Sequence, residues 1–352
     1  MHAGIARLPL GVAPLRTRGL TRLVYGSIRG VTRLVRVGVD QGLALAQRLP
    51  GLTAETRSGP PGREALLAAL NGVIGDRLEA QGHPWATPLA WCVGGQALSL
   101  DAAGLAAGIA RPGGRLLLLV HGLCMNDRQW LRDGHDHGAQ LARDAGYTPV
   151  YLRYNSGRAI HRNGLEAAHA LEALLKAWPV PLERVVLLGH SMGGLVARSA
   201  FAQARRAGLA WPERLDDMVF LGTPHQGAPL ERAGRWVDLL LDAAPYAAPL
   251  ARLGRLRSEG ITDLRQGRVL PGPHRVVALP RRVRCLAIAG QARTGRLLGD
   301  GLVPVASALG QHPQARCRLR FAPGHTRVLQ GVNHMQLLSD PAVAQQLLRW
   351  LK

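Results

Sequence analysis

The stretch Arg184–Gly194, RVVLLGHSMGG, decides how the chain is read. Val185–Leu188 is a short apolar run that starts with β-branched residues, as a buried strand requires. Gly189–Gly193 then spells G-x-S-x-G, and the sequence from Leu195 onward has the spacing of a helix. Strand, sharp turn and helix in this order push a serine out of the sheet plane. Side chains at the flanking glycines would collide with neighbouring backbone. Ser191 is therefore the candidate nucleophile.

Working outward, strand and helix patterns alternate. Arg115–Val120 (RLLLLV) reads as a strand, followed by His121-Gly122-Leu123. A helix is expected over Trp130–Ala145, a strand over Thr148–Tyr154 and a helix over Gly164–Trp178. After the central strand and its helix come strands at Met218–Leu221, Val283–Ala289 and Cys317–Phe321. The alternation predicts an α/β protein with a mostly parallel sheet and helices on both faces. Residues 114–352 form this domain. Residues 225–281 are a long insertion between two strands, containing Trp236–Leu241 and Ala248–Leu253, and are expected to form a helical cap over the site. Residues 1–113 hold no catalytic constellation and read as an accessory, helical extension. Within it Gly19–Leu49 has a basic amphipathic pattern, Leu49–Arg63 reads as a linker and Glu64–Gln81 as a second helix.

A serine hydroxyl needs a base, and the base needs an orienting acid; in a sheet of this kind both follow the serine in the chain. Asp300, in G-D-G-L-V after a strand, and His334, in V-N-H-M near the end, fit that order. Asp216 and Asp217 precede their strand, Asp242 and Asp263 lie in the insertion, and Asp340 comes after the histidine. His225 precedes every plausible acid loop. The developing oxyanion needs donors, assigned to the backbone N–H groups of Met192 and Leu123. His121 is expected to hold the Leu123 loop by a hydrogen bond. His135 and His137 lack further ligands at metal-binding spacing.

Composition sets the remaining bounds. Of 352 residues, 44 are Lys or Arg against 23 Asp or Glu, a formal charge of +21 carried almost wholly by arginine. No nucleic-acid motif accompanies it, so no specific nucleic-acid partner is expected. The four cysteines, Cys92, Cys124, Cys285 and Cys317, are too scattered for a disulfide framework or a zinc ribbon. No apolar run reaches the length of a membrane span, and the amino end makes a poor secretory signal. The expected place is the cytoplasm, with the basic amino-terminal region touching a membrane surface.

H-G-L (121–123), G-H-S-M-G-G (189–194), G-T-P-H-Q-G (222–227), D-G-L-V (300–303) and N-H (333–334) together resemble α/β-hydrolase lipases, especially bacterial triacylglycerol lipases and GPI inositol-deacylase-like hydrolases. The resemblance covers residues 114–352. It implies an α/β-hydrolase fold and hydrolysis of a carboxylic ester by a Ser191–His334–Asp300 triad, without a cofactor. The calcium-binding aspartate that many such lipases carry shortly after the histidine is replaced here by Met335-Gln336. The expected substrate is a small ester or lipid. Acyl transfer, thioester or amide cleavage would use the same triad, and a non-catalytic membrane-associated role on a hydrolase scaffold is the alternative from another class.

Overall fold

In a computed structural model of the chain, residues 61–228, 258–272, 276–292 and 299–352 are described. The basic amphipathic segment Gly19–Leu49, most of the Leu49–Arg63 linker, and Trp236–Leu241 and Ala248–Leu253 of the expected cap lie outside them. All of the described residues belong to one compact unit, Ser58–Lys352.

An eight-stranded sheet runs through this unit. The strands are β1 (Ala90–Val93), β2 (Gln96–Ala97), β3 (Arg115–Val120), β4 (Thr148–Arg153), β5 (Arg184–His190), β6 (Asp217–Leu221), β7 (Arg284–Gln291) and β8 (Thr326–Gln330). Their order is β2-β1-β4-β3-β5-β6-β7-β8. β1 is antiparallel to both of its neighbours, and all pairings from β4 to β8 are parallel. The register of β5 runs from Arg115↔Arg184 to Val120↔Gly189 on one side and from Val186↔Asp217 to His190↔Leu221 on the other. Both neighbouring strands therefore end level with the elbow at Ser191. From Leu116, Val185 and Asp217 onward, β3, β5 and β6 are buried at every position. Both sheet faces are covered, which is why these strands read as unbroken apolar runs.

The connecting helices are α1 (Pro61–Ala80), α2 (Ala102–Gly108), α3 (His137–Ala145), α4 (Ile160–Lys176), α5 (Met192–Ala207), α6 (Glu259–Gln266), α7 (Val305–Ala308) and α8 (Pro341–Leu351). α4 packs on α5, and α3 on α8. Among the described residues no helix is long and apolar enough to cross a membrane.

The structure departs from the sequence reading in three places. The sheet begins before residue 114: Cys92 pairs with Tyr151, so β1 and β2 extend the sheet from within the region expected to be a helical accessory extension. The helix expected over Trp130–Ala145 is interrupted. Asp133 and Gly134 take positive φ angles of 51° and 76°, forming a tight turn closed by Arg132↔His135 bridging. The helix starts only at His137, capped by Asp136, whose carboxylate accepts from Ala139 N. Cys317–Phe321 is not a strand either. Leu319 N bonds to Gly310 O, and the edge position beside β7 goes to Thr326–Gln330.

Candidate active site

β5 delivers Ser191 at its carboxyl end. Ser191 takes φ 53° and ψ −123°, a conformation rare for any residue with a side chain and costing about 1–3 kcal/mol. Surrounding contacts impose it. Ser191 N donates to Leu221 O at 2.8 Å. A Cβ on Gly193 would fall 2.0 Å from Val120 O, and one on Gly189 would fall 2.5 Å from Gly194 N. The two glycines of the motif are thus fixed by backbone packing on both sides of the serine.

Asp300 and His334 reach the same place from two loops, one after β7 and one after β8. His334 Nδ1 stands 2.7 Å from Asp300 Oδ2, and both residues are buried. The other carboxylate oxygen accepts from Leu302 N at 3.0 Å and Val303 N at 2.8 Å. His334 N donates to Asp300 O at 3.0 Å. With Nδ1 donating to the carboxylate, the neutral ring keeps Nε2 free as a proton acceptor. The pair lies beside the elbow. A Cβ on Gly222, the residue after Leu221, would be 3.1 Å from both Asp300 Oδ2 and His334 Nδ1. His190, the residue before Ser191, donates from Nε2 to His334 O at 3.1 Å.

The loop after β3 closes the other side. A Cβ on Gly122 would lie 3.2 Å from Ser191 Cβ. Among the described residues the amides of Leu123 and Met192 have no acceptor, and Met192 opens α5, where helix N–H groups point outward. His121 holds this loop as expected: its Nδ1 donates to Gly122 O at 2.8 Å and its ring stacks on Tyr154 at 4.2 Å. Burial pushes this imidazole down to about 4, so it stays neutral.

The rival residues do other work. Asp216 accepts from Val185 N, Asp263 from Ile160 N, and Asp340 caps α8. Asp217 is held by Arg184 and Arg284 at the opposite end of the sheet. Asp242 lies outside the described residues. His225 is buried against Phe220 and Phe321, and Arg198 Nη1 lies 3.3 Å from its Nδ1. Cys92, Cys124 and Cys285 are buried, and burial pushes all three thiols up, those of Cys92 and Cys285 to about 12. None is an available thiolate.

Two histidines have roles that the sequence reading did not assign. His190 occupies the variable position of the motif, and nothing in the sequence ties it to His334. His137 donates from Nε2 to Leu337 O at 3.0 Å, three residues past His334, and its Nδ1 lies 2.8 Å from His135 Nε2. The first contact props the loop that carries the base, and the second links the two imidazoles.

The strand order, the elbow and its loops agree with a match of residues 111–242 to the family described as PGAP1-like alpha/beta domain. The sheet with its elbow has the α/β-hydrolase fold. The chain's matched span ends before the loops of Asp300 and His334. No curated protein matches it in sequence. Among solved structures it is similar to the mature lipase BlEst2 of Bacillus licheniformis, with 18% identity, 69% of this chain and 94% of that chain covered, and a TM-score of 0.44. It is also similar to YbtT, a type II thioesterase of the yersiniabactin pathway, with 17% identity, coverage of 68% and 94%, and a TM-score of 0.44. A third is RedJ, a thioesterase of the prodiginine pathway in Streptomyces coelicolor, with 16% identity, coverage of 68% and 91%, and a TM-score of 0.44.

Proposed function

We propose that this α/β-hydrolase cleaves carboxylic esters through an acyl-enzyme, with Ser191 as nucleophile, His334 as base and Asp300 as its orienting acid. The observation that carries the reading is the His334–Asp300 bond of 2.7 Å beside a serine held at φ 53°. Ser191 Oγ forms a bond to the ester carbonyl carbon while its proton passes to His334 Nε2. The carbonyl oxygen takes the negative charge and is met by the Leu123 and Met192 N–H groups. Collapse of this intermediate expels the alcohol, which leaves with the proton from His334. A water then gives its proton to His334, attacks the acyl carbon and frees the acid, restoring Ser191. The Asp300 carboxylate orients the ring and stabilises the imidazolium formed twice in the cycle. The apolar character of the insertion and the basic amino-terminal region favour a lipid-like acyl ester met at a membrane surface.

Labelling with a fluorophosphonate probe tests the mechanism. The parent is expected to react, and Ser191→Ala and His334→Ala to lose the signal. A folded parent that stays unlabelled both with and without anionic vesicles would sink the proposal and favour a non-catalytic scaffold. A chain-length series of esters tests the substrate class: turnover should rise with acyl length, and a strong preference for acetate esters overturns the lipid assignment. Alcohol or amine acceptors added to the same assay report acyl transfer as a competing product.

A further inference from the structure

The loop after β3 is gripped from its far side by a helix outside the family match. α1 carries Gly72 and Gly75 on either side of Ile74, whose φ of −136° and ψ of 16° break the helix. Both glycines abut loops of the site. A Cβ on Gly72 would stand 2.2 Å from Cys124 Sγ and 3.0 Å from Cys124 Cα and N. A Cβ on Gly75 would stand 1.9 Å from Asn155 Oδ1. The helix approaches this closely only because neither residue has a side chain.

Cys124 is the residue after Leu123 and takes φ 60°, the left-handed region that side chains rarely adopt. Its surroundings hold it there. Its amide donates to Ser156 Oγ at 3.0 Å, its Sγ lies 3.8 Å from Ala69 O of α1, and Gly72 closes over it. The loop of Ser156 is fixed in turn: Asn155 Nδ2 donates to Gly75 O at 2.9 Å, and Gly260 N to Gly157 O at 2.9 Å. Ser258, which caps α6, donates to Gly72 O at 2.7 Å and ties α1 to that side. The direction of the Leu123 amide is set by the backbone on either side of it. Gly122 rests on the elbow, and Cys124 rests on α1.

We propose that α1 is a positioning element of the oxyanion site, with Gly72 aiming the Leu123 N–H through Cys124 and Ser156. Residues 61–80 then belong to the catalytic apparatus and are not an accessory extension. The inference rests on reading Leu123 as an oxyanion donor.

The experiment uses the full chain, a p-nitrophenyl acyl ester, and a trifluoromethyl ketone that adds to the serine and leaves its oxygen in the oxyanion site. Gly72→Ala is expected to lower kcat at least tenfold and leave KM within twofold. It should weaken the ketone by about the factor lost in kcat/KM, as a contact made only in the transition state requires. In a Cys124→Gly background, where the Sγ clash is gone, the same substitution should cost at least threefold less. Ser156→Ala adds no atom and serves where Gly72→Ala does not fold; it should lower kcat about fivefold at constant KM. If kcat and ketone affinity stay within twofold of the parent in the variants, whatever the melting temperature does, α1 is packing alone and the inference is wrong. That result requires an active parent. A parent that neither turns over ester nor reacts with a fluorophosphonate sinks the hydrolase reading itself, and this inference with it.

Discussion

Two buried carboxylates stand at opposite ends of the sheet, and they are paired in opposite ways. Asp300, beyond the carboxyl ends of the strands, meets one imidazole and two backbone amides. Asp217, at the start of β6, meets Arg184 at 2.9 Å, Arg284 at 2.7 Å and the Trp350 indole N–H at 3.0 Å. The partner of Asp300 is an imidazole, a side chain that both accepts and donates protons, whereas the partners of Asp217 are guanidinium groups, which stay charged. Asp217 sits where three chain segments converge, since Arg184 Nη1 also bonds to Leu351 O and Arg284 Nη2 to Trp350 O. The difference teaches that burial of an acid does not by itself mark a site. Both acids are buried, and they differ in the chemistry of the partners that hold them.

Substitutions at the two acids should therefore separate activity from stability. Asp300→Asn is expected to lower kcat about 10³–10⁴-fold, because the amide would offer an N–H to His334 Nδ1 and fix the wrong tautomer. Its melting temperature should change little, since the side-chain oxygen that accepts from Leu302 and Val303 is kept. Asp217→Ala should do the reverse. It leaves two guanidinium groups facing each other without their anion and is expected to lower unfolding free energy by about 3–5 kcal/mol. kcat per folded molecule should stay near the parent's. Denaturation curves and active-site titration measure both. A loss of kcat in folded Asp217→Ala would show that the two ends are coupled through the sheet.

Acid should act on the imidazoles packed around the site loops. Burial pushes His121 and His137 down to about 4, against about 6.5 in an unfolded chain. The unfolded state binds more protons between those values, so the stabilising effect is complete above pH 6.5 and is lost as pH falls toward 4. Each ring accounts for about 3 kcal/mol at most over that window. His137→Gln, which keeps a donor for Leu337 O, is expected to flatten the fall in urea midpoint between pH 6.5 and 4. An unchanged slope would place the acid sensitivity elsewhere.

The motif-bearing half of the molecule was legible in the sequence because short-range rules determine it. G-x-S-x-G between an apolar run and a helix identifies an elbow, and the chain order of serine, acid and histidine fixes which loops to inspect. What escaped depends on tertiary partners. CRLRF (317–321) and TRVLQ (326–330) both suit an edge strand, and only the register beside β7 selects the second. AWCV (90–93) is four residues long and becomes a strand by pairing with Tyr151, Leu152 and Arg153. The break in Trp130–Ala145 did leave a signal, Asp133-Gly134 followed by the capping Asp136. His190 and His137 left none, since a histidine's acceptor is a backbone carbonyl far along the chain.

The smallest expected effect tests the other side of the same comparison, an exposed ion pair against the buried one. Arg205 pairs with Glu213 near the amino ends of the strands, with side chains 58% and 55% exposed, where Asp217 is fully buried. Water and salt screen the exposed pair, and ordering two long side chains costs much of what the attraction supplies. Arg205 also lies in the last turn of α5, where a cation adds a few tenths of a kcal/mol against the helix dipole. Arg205→Ala should therefore change unfolding free energy by about 0.5 kcal/mol or less, and less still at high salt. Glu213 keeps a second cation at hand, Arg282 Nη1 at 3.6 Å, which softens the loss further. A cost of about 2 kcal/mol that survives high salt would show that this exposed pair shares the network of Asp217, and would end the distinction drawn between them.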